Sequence, residues 1–321
     1  MQRWPLRLML SAILAALLIV GFVLQHPHQA VADPPTTTSS APTNANATTS
    51  TRAVTTTTAP PPYHPTRSQS PVTSTAAFAP PRRGCHFAST PAVALASAHV
   101  ALGRCVVLEV GDSLGNDLGW GLARELRGTP GLQLKLMDIS STGLVTPWYY
   151  NWPRHLRHFL HQYRPHLVVM TFGANDEQGI VVNGRAAIFG STQWHAAYRA
   201  RVLAMTNLAS KFGSYVLWMG MPIMQPVQYR QGAEILNSLY SSVVTTVPGA
   251  TFLPTYNLLA TPKLYFRTAA RVNGVPEILR ASDGIHFSYV GENVLATFVV
   301  RRIASIYHVR IAPSAPMNLT S

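Results

Sequence analysis

Ser113 stands in the tetrapeptide Gly111-Asp112-Ser113-Leu114, and far downstream Asp283 precedes His286 by three positions in Asp283-Gly284-Ile285-His286. A serine hydroxyl is a weak nucleophile until a base takes its proton. Imidazole does this best when a carboxylate fixes its tautomer and steadies the imidazolium. A single compact loop can hold Asp283 against Nδ1 of His286 while Nε2 faces Ser113, with Gly284 allowing the tight turn. The chemistry such a set performs is acyl transfer through a covalent serine intermediate. That reaction also needs donors aimed at the developing oxyanion. Three are available: the backbone N–H of Ser113, the backbone N–H of Gly143 in SSTGLV, and the side-chain amide of Asn175 in TFGAND.

These groups lie far apart in sequence, so a scaffold must bring them together. Cys105 to Val110 is a short, mostly apolar run with β-branched residues that stops at Gly111, which reads as a buried strand. Leu118, Leu122 and Leu126 then recur at four-residue spacing, which reads as a helix, with Asn116 or Asp117 as its N-cap. Ser113 thus falls at a strand-to-helix turn, near a helix N-terminus. Further strands are expected at 132–139, 167–172, 215–219 and 250–254. Helices are expected at 153–163, 194–208, 233–244 and 289–303. Strands alternating with helices call for a parallel sheet covered on both faces, a three-layer α/β/α sandwich. In such a sheet Ser113, Gly143 and Asn175 all follow strand ends and converge on one rim.

The four blocks GDSL at 111–114, Gly143, GAND at 173–176 and DGIH at 283–286 resemble, in order, those of the SGNH (GDSL-like) hydrolase superfamily. The connecting text STGLVTPWYYNWP and WMGMP is similar to a bacterial envelope subgroup long labelled a domain of unknown function. The resemblance implies a five-stranded flavodoxin-like sheet of order 2-1-3-4-5. It also implies ester hydrolysis or acyl transfer without metal or organic cofactor.

Other polar and aromatic residues carry competing readings. Asp112 is expected to satisfy turn amides rather than to serve as the triad acid, because neighbours on a strand point to opposite faces. Asp176 is expected to organise the loop beside Asn175. His155, His158 and His161 recur every third residue, drift around a helix and lack a carboxylate, so they read as helix surface rather than metal ligands. Trp148 and Tyr149, in the aromatic run that ends at Trp152, are candidates to stack on a sugar ring, with loop packing as the alternative. Arg280, just ahead of Asp283, is a candidate for an anionic substrate group, set against a surface ion pair.

Composition bounds the surroundings. The formal net charge is +13, but the basic residues are scattered and no zinc spacing or RNP-like motif accompanies them. Nucleic acid is therefore not expected as a partner. A generally basic surface is expected, which would draw the domain toward anionic envelope polymers or lipid head groups. Arg3 and Arg7 precede an apolar run from Leu8 to Leu24, and Ala30-Val31-Ala32 offers a cleavage site. Residues 1–32 therefore read as a signal peptide or an N-terminal membrane anchor. Residues 33–83, dominated by Thr, Pro, Ser and Ala, read as a disordered stalk, which favours the anchor. Residues 84–312 read as one hydrolase domain and 313–321 as a tail. Cys85 and Cys105, the only cysteines, read as a disulfide in an oxidising compartment. The resulting expectation is an exported serine esterase acting on a short, O-acetyl-type ester of an envelope polysaccharide. An O-acyltransferase using the same groups and a noncatalytic glycan-binding module are the alternatives.

Overall fold

The computed structural model describes residues 105–307, 311 and 314–320. The segments expected to act as export signal or anchor and as stalk, and Cys85, lie outside the described residues. Cys105 is buried at the start of the first strand.

Five parallel strands form the central sheet. They are β1 (Cys105–Gly111), β2 (Leu132–Asp138), β3 (Leu167–Thr171), β6 (Tyr215–Met219) and β7 (Ala250–Leu253), in the order β2-β1-β3-β6-β7. Every residue of β1, β3 and β6 is buried. That is why these strands read as mostly apolar runs rather than alternating ones: helices cover both of their faces. Gly111 at the end of β1 pairs with Asp138 on β2 and Thr171 on β3. The three strands therefore finish level, and the loops after them share one rim.

The helices are α1 (Ser113–Glu125), α2 (Trp152–Tyr163), α3 (Thr192–Lys211), α4 (Val227–Val244) and α5 (Tyr289–Tyr307). They fall into two groups: α1 packs on α5, while α2 packs on α3 and α3 on α4. Leu118, Leu122 and Leu126 of the α1 stripe are all buried. Asp112, not Asn116 or Asp117, is the N-cap of α1, its carboxylate accepting the Leu114 amide at 3.0 Å. The helix therefore begins at the candidate nucleophile itself.

Two antiparallel additions were not anticipated. β4 (Ile180–Val182) pairs with β5 (Arg185–Ala187), and β8 (Ala269–Val272) pairs with β9 (Val275–Ile278). Each hairpin turns on Asn-Gly with positive φ at both residues: 50° and 75° at Asn183 and Gly184, 52° and 85° at Asn273 and Gly274. This is the two-residue turn whose twist matches paired strands. β10 (Leu319–Thr320), from the segment expected to be a tail, adds to β8.

Candidate active site

A buried carboxylate organises the turn that presents Ser113. Asp112 is fully buried and accepts three backbone amides: Leu114 at 3.0 Å, and Gly173 and Ala174 at 2.9 Å each. One carboxylate thereby ties the nucleophile turn to the loop after β3. Burial, with the charge of Asp176 nearby, pushes the Asp112 carboxyl up to about 7 against the pull of those amides. The sequence reading of Asp112 as a holder of turn amides matches its partners.

The second part is the pair of loops that carry Gly143 and Asn175. Asn175 donates one amide hydrogen to the Thr142 carbonyl at 2.9 Å, which puts it against the peptide preceding Gly143. Asp176 is fully buried, accepts the Val145 amide at 2.9 Å and the Tyr198 hydroxyl at 2.5 Å, and thereby fixes the chain just past Gly143. A Cβ at position 143 would sit 2.2 Å from Asp176 Oδ1, so only glycine admits this approach. Tyr198 in turn shares a 2.9 Å bond with Tyr240, and Trp152 Nε1 donates to Thr142 Oγ1 at 3.0 Å. The structure thus sets Gly143, Asn175 and the Ser113 turn side by side on the rim where β1, β2 and β3 end.

The third part is the loop Asp283–His286, which runs from the end of β9 to α5. His286 Nδ1 lies 2.6 Å from Asp283 Oδ2, and Asp283 Oδ1 accepts the Ile285 and His286 amides at 2.8 and 3.0 Å. Partial desolvation works to raise the Asp283 carboxyl. The hydrogen bonds from the His286 ring and the two amides outweigh it and hold the group at about 2. A carboxylate that is ionised can only accept, so Nδ1 carries the proton it donates, and Nε2 of a neutral ring is left as an acceptor. Gly284, with φ 69°, lies where a Cβ would be 2.5 Å from the Gln225 side chain, and its carbonyl accepts the Gln225 amide at 2.9 Å. The loop is therefore packed against the segment following β6, on the same rim as Ser113.

Its link to α1, the helix that begins at Ser113, is direct. Asp117 Oδ2, one turn beyond Ser113 on α1, accepts the amide of Phe287, the residue after His286, at 2.9 Å. Among the described residues no hydrogen bond joins Ser113 Oγ to His286. In unliganded hydrolases that bond is often long and tightens only around substrate. The pair is open to solvent, with the Asp283 and His286 side chains 45% and 34% exposed.

Arg280 requires a correction. It is 1% exposed, and its guanidinium donates to the carbonyls of Ile223 at 2.8 Å, His286 at 3.2 Å and Ile285, between the rings of Phe266 and Phe287. With its donors so engaged it is an internal clamp under the loop, neither a surface ion pair nor a free anion hook. Trp148 and Tyr149 are 82% and 58% exposed on the loop after Gly143. Tyr150 and Trp152 pack inward, edge-on to each other. His155 stacks on Tyr150, and His158 and His161 lie on the exposed side of α2. Sequence reading gives Asp117 only as a possible N-cap and assigns no role to Gln225 or Tyr198. Of these only Asp117 carried a usable signal, its four-residue spacing from Ser113 on a helix.

The chain matches the family described as "Protein of unknown function (DUF459)" over residues 106–302. The search of curated proteins found no match. Among solved structures it is similar to a GDSL-like lipase from Bacteroides thetaiotaomicron, with 15% identity and a TM-score of 0.44, covering 66% of this chain and 95% of that one. It is also similar to the periplasmic domain of a lipopolysaccharide acetyltransferase from Salmonella ser. Paratyphi A, with 14% identity, a TM-score of 0.45 and coverage of 68% and 91%. A third is an acetylxylan esterase from Geobacillus stearothermophilus, with 13% identity, a TM-score of 0.42 and coverage of 63% and 94%. Likeness at that level carries no weight for the chemistry, which stands on the geometry above.

Proposed function

Because this chain belongs to the DUF459 family of proteins of unknown function, its activity has to be argued from its site, and we propose an extracytoplasmic serine esterase. The observation that carries this reading is the 2.6 Å Asp283–His286 pair, on a loop bonded to the first turns of the helix that begins at Ser113. In the proposed reaction Ser113 Oγ attacks the acyl carbon while its proton passes to His286 Nε2. The amides of Ser113 and Gly143 and the Asn175 side chain hold the oxyanion. Collapse breaks the bond to the leaving alcohol, which takes the proton from His286. Water, deprotonated by the same ring, then releases the acid and restores Ser113.

The solvent exposure of Asp283 and His286 favours water as the second nucleophile over a sequestered acceptor, hence hydrolysis over transfer. Exposed Trp148 and Tyr149, in edge contact at 6.1 Å, offer apolar faces at the rim beyond Gly143, suited to a sugar ring bearing a short acyl group. Export rests on the N-terminal sequence, and together with the basic composition it points to acetylated envelope polysaccharide as substrate.

The test is turnover of acetyl, butyryl and octanoyl aryl esters and of acetylated glycans, beside fluorophosphonate labelling. Wild type should hydrolyse the acetyl ester best and be labelled at Ser113. Ser113→Ala should retain the fold and lose both by at least about 10³-fold. An unlabelled wild type, or an active Ser113→Ala, rejects the assignment.

A further inference from the structure

We propose that Asp117 is a positioning residue of this site: with Arg280 it clamps the His286–Phe287 peptide, setting His286 against the nucleophile helix and supplying a second carboxylate charge beside its ring. The proposal rests on the hydrolase reading for its catalytic consequence, though not for its geometry.

The clamp acts on both ends of one peptide unit. Its carbonyl, that of His286, accepts Arg280 Nε at 3.2 Å and the Ala281 amide at 2.9 Å. Its N–H, that of Phe287, donates to Asp117 Oδ2 at 2.9 Å. Arg280 is held in turn by the Ile223 carbonyl behind it, so the peptide is fixed from the β6 side and from α1 together. Asp117 and Ser113 are four residues apart on one helix, which puts them on the same face, just over one turn or about 6 Å along the axis. The Phe287 amide bond therefore registers the base against the nucleophile through a single rigid turn. Neither the Asp283–His286 bond nor the Gln225–Gly284 contact does this, because neither reaches α1.

Asp117 is also electrically placed. It faces His286 and Arg280, which favour its charge, and Glu292 in the first turn of α5, which opposes it. Glu292 is itself paired with Arg124, and Asp283 sits on Nδ1 of the ring. His286 thus answers to two carboxylates: Asp283 fixes its tautomer, and Asp117, bonded to the next residue, stabilises its protonated form without touching the ring's acceptor. Burial is the chief influence raising the Asp117 carboxyl, to about 6, so its charge on His286 is full only above that pH.

Two substitutions separate the roles. Asp117→Asn keeps an oxygen for the Phe287 amide and removes the charge, while Asp117→Ala removes both. The His286 ring titration, followed by NMR, needs no turnover. Its midpoint should fall on the order of half a pH unit in Asp117→Asn. If the wild type is a hydrolase, the acid limb of kcat/KM should move down by the same amount with a nearly unchanged plateau. Asp117→Ala should lower kcat roughly tenfold with little change in KM, while Ser113 is still labelled. A purely structural Asp117 would leave the midpoint and the acid limb of Asp117→Asn where they are in wild type, and that result overturns the proposal. A shifted midpoint in a protein that no fluorophosphonate labels would uphold the clamp and reject the hydrolase.

Discussion

Asn175 carries two amide hydrogens, and one is committed to the Thr142 carbonyl at 2.9 Å. In the proposed mechanism the second is the one offered to an oxyanion, and the first keeps the amide from rotating away. Substitution by alanine removes the oxyanion donor and at the same time leaves the Thr142 carbonyl without its partner. Asn175→Ala should therefore lower kcat by about 10²- to 10³-fold with KM nearly constant, since the donor acts on charge that develops only in the transition state. Steady-state kinetics on the acetyl aryl ester checks this. A rise in KM with kcat unchanged would make Asn175 a ground-state contact. Asp176, its neighbour, contributes differently. Its carboxyl is pushed up by burial against the pull of the Tyr198 hydroxyl and the Val145 and Leu144 amides, and it fixes the backbone from which the Gly143 amide projects. Types and order of residues are enough to nominate Ser113, Asp283, His286 and Asn175. They do not reveal Arg280's place, because burial of a guanidinium depends on carbonyls at 223, 285 and 286 that come together only in the fold.

Two helices carry the two halves of the candidate site: α1 begins at Ser113, and α5 follows directly on the loop of His286. Their contact is made close by glycine. A Cβ at Gly121 would lie 2.4 Å from the Glu292 carbonyl oxygen and 2.7 Å from Ala296 Cβ, both on α5. Neither obstacle is the flexible end of a side chain, so Gly121→Ala must separate the helices or tilt one of them. We expect a loss of about 1–3 kcal/mol, read as a lower Tm, together with a larger fractional loss of turnover than stability alone explains. Equal Tm and equal activity would show that the interface gives way freely. At this scale the sequence was informative where elements are long or fully buried. The run of β1, apolar but for Glu109, and the leucine stripe of α1 read correctly, because a mostly apolar run and a four-residue period each have one plausible geometry. The short hairpins escaped notice although both carry Asn-Gly, the strongest local hairpin signal. Their strands are three or four residues long and half exposed, too brief to show a period. Sequence reading starts α1 a few residues late, at Asn116 or Asp117, because it gives Asp112 only to turn amides. Its bonds to Gly173 and Ala174 come from across the sheet, and it caps the helix as well.

Across the molecule, acids and bases are distributed unequally. The chain has 12 acidic residues against 25 Lys and Arg, and Glu109, Asp112 and Asp176 among the acids are wholly buried. The field outside is thus set by the basic groups more strongly than the net charge of +13 suggests, consistent with attraction to anionic polymers. Inside, the consequence is a stability that depends on pH in an unusual direction. Burial pushes Asp112 and Asp138 up to about 7, and burial with the Asp176 charge pushes Glu177 up to about 8, from ordinary values of 3.8, 3.8 and 4.5. Between pH 6 and 8.5 the unfolded chain holds none of these protons, whereas the native protein holds them at the lower pH and releases them at the higher. The native state therefore binds more protons at pH 6, and stability must fall as pH rises through the window. Positive self-repulsion works the other way as histidines protonate, so the comparison belongs at about 0.15 M ionic strength or above, where surface charges are screened beyond roughly 8 Å. Thermal unfolding should give a higher Tm at pH 6 than at pH 8.5. Asp138→Asn should flatten the difference, since Asp138 Oδ1 is buried without a partner and an amide there cannot ionise. A Tm that is level or rising across this range, with the Asn variant indistinguishable from wild type, would mean that these carboxyls are charged in the native protein and that partners other than protons balance them.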